Sequence, residues 1–393
     1  VTNCMKNKDL LKEKSIIMWN EDKIEAFQKT LLDWYDANKR DLPWRRTSNP
    51  YYIWISEIML QQTQVDTVIP YYERFINTLP EINDLAEASE DTLLKLWEGL
   101  GYYSRVRNMK VAAGQIMADH NGIFPEDYEA IKSLKGIGPY TAGAVSSIAF
   151  NQPQPAVDGN VMRVLSRLFE IELDIGKPSS RKVFEEMIRL LIDRERPGDF
   201  NQALMDLGAT ICTPKNYKPE TSPVKDFNAS YLNETWERYP IKQGKKKVRE
   251  EAYIALAVSN DKGEYLFQKR GSEGVLSGMW TFLMIPADIL DEDGWKSFGG
   301  SAESLTQVQS EILVDYIKKE YGLIIAFNNS LKGTYTHIFS HLKWHLSIYE
   351  AKVVAETVTG HSLHPIHPDD FSDIAFPVPT QKVWNMVNAI TLF

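Results

Sequence analysis

The sequence predicts a two-domain chain, an all-α domain followed by an α+β domain, on three observations. The chain is 393 residues long, too long for one ordinary core and long enough for two. Through the first 230 residues apolar side chains recur every three to four positions, as at Ile24, Phe27, Leu31 and Trp34, the period of a buried helix face. After about residue 250 the period falls to two in "EEAYIALAVS", "EYLFQKR" and "LKWHLSIYEAKV", the alternation expected of strands.

The helical run is broken where turn residues cluster, at "TSNPYY", "NTLPEIND", "GIFPEDY", "NQPQPAVDGN" and "RERPGDF". From residue 212 the texture becomes proline-spaced and then lysine-rich, in "CTPKNYKPETSPVKDF" and "KQGKKKVRE". The boundaries expected are therefore a helical domain over 1–228, a connector over 229–249 and an α+β domain over 250–393. Within the last, "SLTQVQSEILVDYIKKEYG" reads as a helix between strands, and "PTQKVWNMVNAI" as a closing helix entered through proline.

Composition excludes several classes. A hydrophobic content of 43% with 25% charged residues is that of a soluble globular protein. No apolar run reaches the roughly 18 residues that a membrane span needs. The stretch "VTNCMKNKDLLKEK" has lysines but no apolar core of signal-peptide length, so the expected location is cytoplasmic. Cys4 and Cys212 are too few for a disulfide framework. The net charge of -9 counts against a broad nucleic-acid footprint, and residues 1–230 alone carry 28 basic against 33 acidic side chains. Any contact with DNA must come from a local surface.

One such surface is legible in "LKGIGPYTAGAV", residues 134 to 145. Glycines 136 and 138 allow a tight turn, and the helix that follows offers free N–H groups to an anion such as a DNA phosphate. Taken alone, the stretch is equally a structural helix-turn-helix corner. Asp158, in "VDGNV", precedes the apolar pattern of "VMRVLSRLF", where either Asp158 or Asn160 makes an N-cap. A carboxylate there is held anionic by the helix dipole and is able to face a sugar cation.

These two motifs together resemble the helix-hairpin-helix superfamily of DNA glycosylases. With "LPWRR" at 42–46, "SEIMLQQTQV" at 56–65, "EGLGYYSRVRN" at 98–108 and "FNQALMDLGATICTP" at 200–214, the resemblance narrows to its MutY-type adenine DNA glycosylase family and covers nearly the whole chain. It implies that Gly136, Ile137, Gly138 and Thr141 grip the DNA backbone. Removing adenine requires one protonated carboxyl to serve the leaving base and one ionised carboxylate to face the oxocarbenium-like sugar. Glu57, set among Trp54, Ile55, Ile58 and Met59, has the apolar surroundings that raise an acid's pKa, and by resemblance it protonates adenine. The bland alternative for Glu57 is a buried glutamate tied up in a helix contact. Asp158 takes the second role, by charge or by a transient covalent bond, with Tyr140 and Asn160 as its hydrogen-bonding neighbours.

The resemblance further places Leu42, Trp44, Arg45, Val65 and Gln202 around the adenine, and Gln62, Thr63, Leu100 and Tyr102 as elements that enter the duplex once the nucleotide is flipped. For the apolar members the plain alternative is core packing. Position 140 carries lysine in superfamily members that also cut the strand through a Schiff base; here it is Tyr140, which implies base removal without an efficient lyase step.

This chain departs from the family at the cysteines. The family follows "LGA..C" with three more cysteines that hold a four-iron, four-sulfur cluster, whereas the matching positions here are Pro219, Ser222 and Asn228, and Cys212 stands alone. The expectation is a clusterless member with no metal or other cofactor, its loop stiffened by Pro214, Pro219 and Pro223. In the second domain "GVLSGMWTF" and "KKEYGL" resemble the nudix fold, but Asp315, Tyr316 and Lys319 stand where its metal helix has an arginine and two acids, leaving only Glu320. The domain is expected to recognise rather than hydrolyse, with Phe339, Ser340 and His341 matching the family's detector of 8-oxoguanine; without the resemblance these are a polar hairpin turn.

The expected partner is double-stranded DNA carrying adenine opposite 8-oxoguanine or guanine, bound by a monomer without a membrane and associated with the nucleoid when on DNA. The rival readings are a glycosylase-lyase for oxidised pyrimidines, a catalytically silent lesion binder and a nucleotide pyrophosphohydrolase. Tyr140, the retained carboxylates and the degraded acidic helix speak against them in turn.

Overall fold

The computed structural model describes residues 10–244, 248–271, 273–290, 304–356 and 362–388. Cys4 and the connector lysines 245 to 247 lie outside the described residues. Contacts divide the chain into one unit of residues 1–88 and 104–244, and a second of residues 89–103 and 245–393. The first unit thus runs on to Gly244, beyond the expected end at 228. The segment Ser89–Tyr103 groups with the second unit although its helical period reads like its neighbours, because period reports the local fold and not the partner.

The first unit is helical, with α1 over Glu21–Asn38, α2 over Pro50–Leu60, α3 over Val65–Thr78, α4 over Ser104–Asp119, α5 over Tyr128–Ser133, α6 over Pro139–Phe150, α7 over Gly159–Leu168, α8 over Pro178–Leu191 and α9 over Pro197–Asp206. Prolines at N1 of α2, α6, α8 and α9 start these helices where a missing N–H costs nothing. Phe27 and Leu31 of α1, Leu165 of α7, Phe184 and Ile188 of α8 and Phe200 and Leu204 of α9 form one buried cluster. Helix α9 passes into a short π-helix over Leu207–Ile211, a feature that often marks functional sites.

The second unit holds a seven-stranded sheet: β1 Arg249–Ser259, β2 Tyr265–Lys269, β3 Trp280–Thr281, β4 Leu283–Pro286, β5 Leu323–Ile338, β6 Leu342–Glu356 and β7 Leu363–Ile366. Strand β1 pairs parallel with β6, from Arg249↔Leu342 to Ser259↔Lys352, while its other pairings are antiparallel. Alternate residues of β1 reach opposite faces. Ile254, Leu256 and Val258 pack with Leu313 and Ile317 of α10 (Gln307–Tyr321), and Ala255 and Ala257 with Val383 and Val387 of α11 (Val378–Val387). Burial on both faces explains the near-continuous apolar run of β1.

Candidate active site of the helical unit

Helix α2 is apolar nearly all round, and Glu57 on it is only 6% exposed. A buried carboxylate without partners is costly. Its partner is Tyr140, at the second position of α6, whose hydroxyl donates to Glu57 Oε2 at 2.7 Å. Burial pushes the Glu57 carboxyl up to about 7 against the pull of that hydrogen bond, with the nearby Asp158 charge raising it and Arg45 lowering it by less. Burial also holds the Tyr140 phenol well above its ordinary range.

Asp158 is the N-cap of α7. Its Oδ1 accepts from the Val161 N–H at 2.7 Å and its Oδ2 from Asn160 Nδ2 at 2.8 Å. A cap of this kind contributes about 1 kcal/mol to helix stability. Burial raises the Asp158 carboxyl, while the Val161 and Asn160 donors hold the rise back. The expectation that Tyr140 is a hydrogen-bonding neighbour of Asp158 is corrected: Asn160 fills that role and Tyr140 serves Glu57, because the first turn of α6 points the phenol toward α2.

Close backbone approach brings these groups together. A Cβ on Gly143 would lie 1.9 Å from the Pro155 carbonyl, so α6 touches the segment that delivers Asp158. A Cβ on Gly208, in the π-helix, would lie 2.7 Å from Asn160 Cβ. Asn160 is steadied in turn by Arg163, whose Nη2 donates to Asn160 Oδ1 at 2.8 Å and to the Gly208 carbonyl at 2.7 Å, with Nε on the Cys212 carbonyl at 2.7 Å.

Glu57, Tyr140, Asp158 and Asn160 all line one cavity of about 570 Å³, and so do Leu42, Trp44, Arg45, Val65 and Gln202. Trp44 stands edge-on to Tyr72 at 5.3 Å, fixing its ring in the wall. The Arg45 guanidinium forms a two-pronged pair with Asp206, at 2.7 and 3.0 Å, which Arg40 shares. Gln62 and Thr63 stand on the rim, Gln62 with a left-handed φ of 58°. Sequence reasoning passed over Asp206, Met205, Gln61 and Arg181, which also belong here. Met205 and Asp206 sit within a quoted motif but read as ordinary helix positions, and Arg181 carries no local signal. Arg163 had one: with Arg167 it places two arginines four residues apart among the apolar positions of α7.

In the hairpin, α5 and α6 flank a turn in which Gly136 has φ 78° and a Cβ there would meet Asn108 at 2.7 Å, so glycine is required. Gly138 is different. Its φ of -97° is open to any residue and an added Cβ would meet nothing within 4 Å, so of the two glycines read as allowing the turn only Gly136 is required. Ile137 is buried, while Thr141, 2% exposed, meets Gln61 Nε2 at 3.4 Å and lines the cavity instead of the outer hairpin surface.

Two families match this chain: the helix-hairpin-helix (HhH-GPD) superfamily of base excision DNA repair proteins over residues 55–190, and the NUDIX domain over residues 254–386. An adenine DNA glycosylase of Buchnera aphidicola from Schizaphis graminum is 36% identical over 92% of this chain and 98% of its own length. This chain belongs to the adenine DNA glycosylase family. The adenine DNA glycosylase of Mus musculus is 35% identical over 83% of this chain and 70% of its own. That of Arabidopsis thaliana is 36% identical over 87%, and the chain spans 59% of that relative's length.

As an adenine DNA glycosylase family member the chain has one discordant region, the positions of the family's cluster cysteines. Of these four positions Cys212 alone carries a thiol, Pro219 has no side-chain donor, and Ser222 and Asn228 are neutral and buried. These residues do not fit a cluster that takes four cysteines.

Within the second unit, Phe339, Ser340 and His341 form the turn between β5 and β6. The Phe339 ring packs against His337 at 4.5 Å and Trp344 at 4.9 Å, leaving Ser340 and His341 exposed. Ser340 Oγ lies 2.6 Å from the Tyr102 hydroxyl, and Tyr102 is held in a left-handed conformation after Gly99 and Gly101. Leu100, expected to enter the duplex, is only 6% exposed. The metal-helix positions lie in α10, and among the described residues no cluster of His, Cys, Asp and Glu is suited to a metal ion.

Proposed function

We propose that the chain is a monofunctional glycosylase that hydrolyses the bond between adenine and deoxyribose where adenine faces 8-oxoguanine or guanine, working as a monomer without an iron–sulfur cluster. The observation that carries this reading is the pair of unlike carboxyls on one cavity: Glu57, raised to about 7 by burial, and Asp158, whose charge two N–H donors favour. Burial raises both carboxyls, but the two N–H donors offset it at Asp158 while Glu57 has a single phenol, and such unlike environments assign the stabiliser and the acid. Protonated Glu57 gives its proton to a ring nitrogen of adenine, the C–N bonding electrons leave with the base, and Asp158 faces the resulting sugar cation. Water then attacks the anomeric carbon, and its proton returns to the carboxylate.

No lysine lines the cavity among the described residues, so Schiff-base chemistry lacks its amine. Reading of the base opposite adenine is assigned to Gln62, Thr63, Tyr102, Phe339, Ser340 and His341, with the phosphate grip at Gly136 and Gly138. Single-turnover assays on duplexes that differ only opposite adenine test the proposal. Adenine release that is faster opposite 8-oxoguanine and guanine, leaving a strand that breaks only on heating or with alkali, is the expected result. Prompt strand scission with a borohydride-trapped adduct overturns it.

A further inference from the structure

The cluster positions raise a structural question, since Cys212 sits at the root of the hydrogen bonds that reach Asp158. Three of those four positions converge on one side chain that is not among them. Asn228 Nδ2 donates to the Tyr217 hydroxyl at 2.9 Å, and the side chains of Ser222 and Cys212 lie beside the same phenol. Ser230 Oγ donates to Asn228 Oδ1 at 2.9 Å, which orients the amide toward Tyr217. The other face of the assembly is Arg167, whose guanidinium lies 4.3 Å from the centre of the Tyr217 ring. Arg167 Nη1 also reaches Cys212 Sγ at 3.2 Å and the Thr213 carbonyl at 2.9 Å, and its Nε the Tyr239 carbonyl at 3.0 Å.

We infer that Tyr217 occupies the place of the metal centre and is a positioning residue for Asp158, acting through Cys212, Arg163 and Asn160. A cluster ties distant chain segments to one point by covalent bonds to sulfur. Here the phenol gathers Cys212, Ser222 and Asn228 about one point, bonded to the Asn228 amide, and the cation above its ring fixes the plane. What this holds still is the Cys212 carbonyl, which accepts from Arg163 Nε. Arg163 in turn donates to Asn160 Oδ1, and Asn160 to Asp158 Oδ2. Freed of the phenol, the 212–228 loop loosens, Arg163 shifts with the carbonyl, and the Asn160 amide no longer meets the carboxylate squarely.

The inference rests on Asp158 being the catalytic carboxylate, and its test separates the two. Tyr217→Leu keeps apolar volume and removes both hydroxyl and ring face; Tyr217→Phe removes the hydroxyl alone. Single-turnover rates per active molecule are expected to fall about tenfold and about threefold respectively, with affinity for the mispaired duplex within about twofold of wild type. The decisive comparison repeats Tyr217→Leu in an Asn160→Ala background. Coupling through Asn160 predicts that the tenfold factor shrinks to about twofold there, whereas independent effects would multiply.

An undiminished factor in that background, or an unchanged rate with only fewer active molecules, overturns the inference. Should Tyr217→Leu fail to fold, Tyr217→Phe carries the same comparison with its smaller factor. If Asp158→Asn itself retains near-normal rates, the failure lies with the catalytic reading and not with the role of Tyr217.

Discussion

At the scale of single residues the chemistry turns on where each proton sits. Glu57→Gln and Asp158→Asn are each expected to abolish adenine release while binding of the mispaired duplex persists, measured by single turnover beside equilibrium affinity. In the proposed mechanism Glu57 acts in its protonated form, so the rate should fall as pH rises through about 7. Stability follows the same sign: the folded carboxyl titrates above its ordinary value of 4.5, so its favourable contribution is complete below that value and is lost as pH rises through about 7. Wild type should therefore lose melting temperature relative to Glu57→Gln over that window. Tyr140→Phe removes the hydrogen bond that lowers the Glu57 pKa, so the falling limb of the pH–rate profile should move to higher pH. A profile that stays put or moves to lower pH would contradict the pairing. Glu57 and Asp158 were legible because their flanks are motif-like, but the Tyr140–Glu57 bond was not, since it joins residues 83 positions apart.

At the scale of elements, the site depends on how closely helices approach. Gly143→Ala places a Cβ against the Pro155 carbonyl and must push α6 away from the segment leading to Asp158. A loss of about 1 to 3 kcal/mol or more in denaturant unfolding, with a slower reaction, is expected. Gly138→Ala meets nothing and adopts the native φ, so its unfolding free energy should stay within about 0.5 kcal/mol of wild type. Equal effects at the two glycines would remove the argument from close approach. In sequence the two glycines of "GIG" look alike and Gly143 looks incidental. Only the neighbours across space tell them apart, because a glycine demanded by contact leaves no local pattern.

At the scale of the whole molecule, each unit has its own core. Phe339→Ala with Ser340→Ala should leave the cavity intact and erode the preference for 8-oxoguanine over guanine opposite adenine, by roughly 1 to 3 kcal/mol in relative rate or affinity at one fixed salt concentration. Removing residues 250–393 should do so more strongly. It also strips Lys95, Glu98 and Tyr102 of their bonds to Ile374, Phe376, Gln381 and Ser340, so stability must be followed alongside. An unchanged preference in the double variant would leave discrimination to Gln62, Thr63 and Tyr102. Purified protein is also expected to contain no stoichiometric iron; about four irons per active chain, the family's complement, would refute the clusterless reading.

The amino-acid order by itself determined the succession of helices and strands, because periods of 3.6 and two are local consequences of which face is buried. It also marked both carboxylates and the missing cysteines, which lie in contiguous motifs. Tertiary structure alone decided that Ser89–Tyr103 groups with the second unit, that Asp206 holds Arg45, and that Tyr217 meets Cys212, Ser222 and Asn228. Those are meetings of side chains distant along the chain, settled by packing and by the need of every buried polar group for a partner, and neither leaves a periodic trace in sequence.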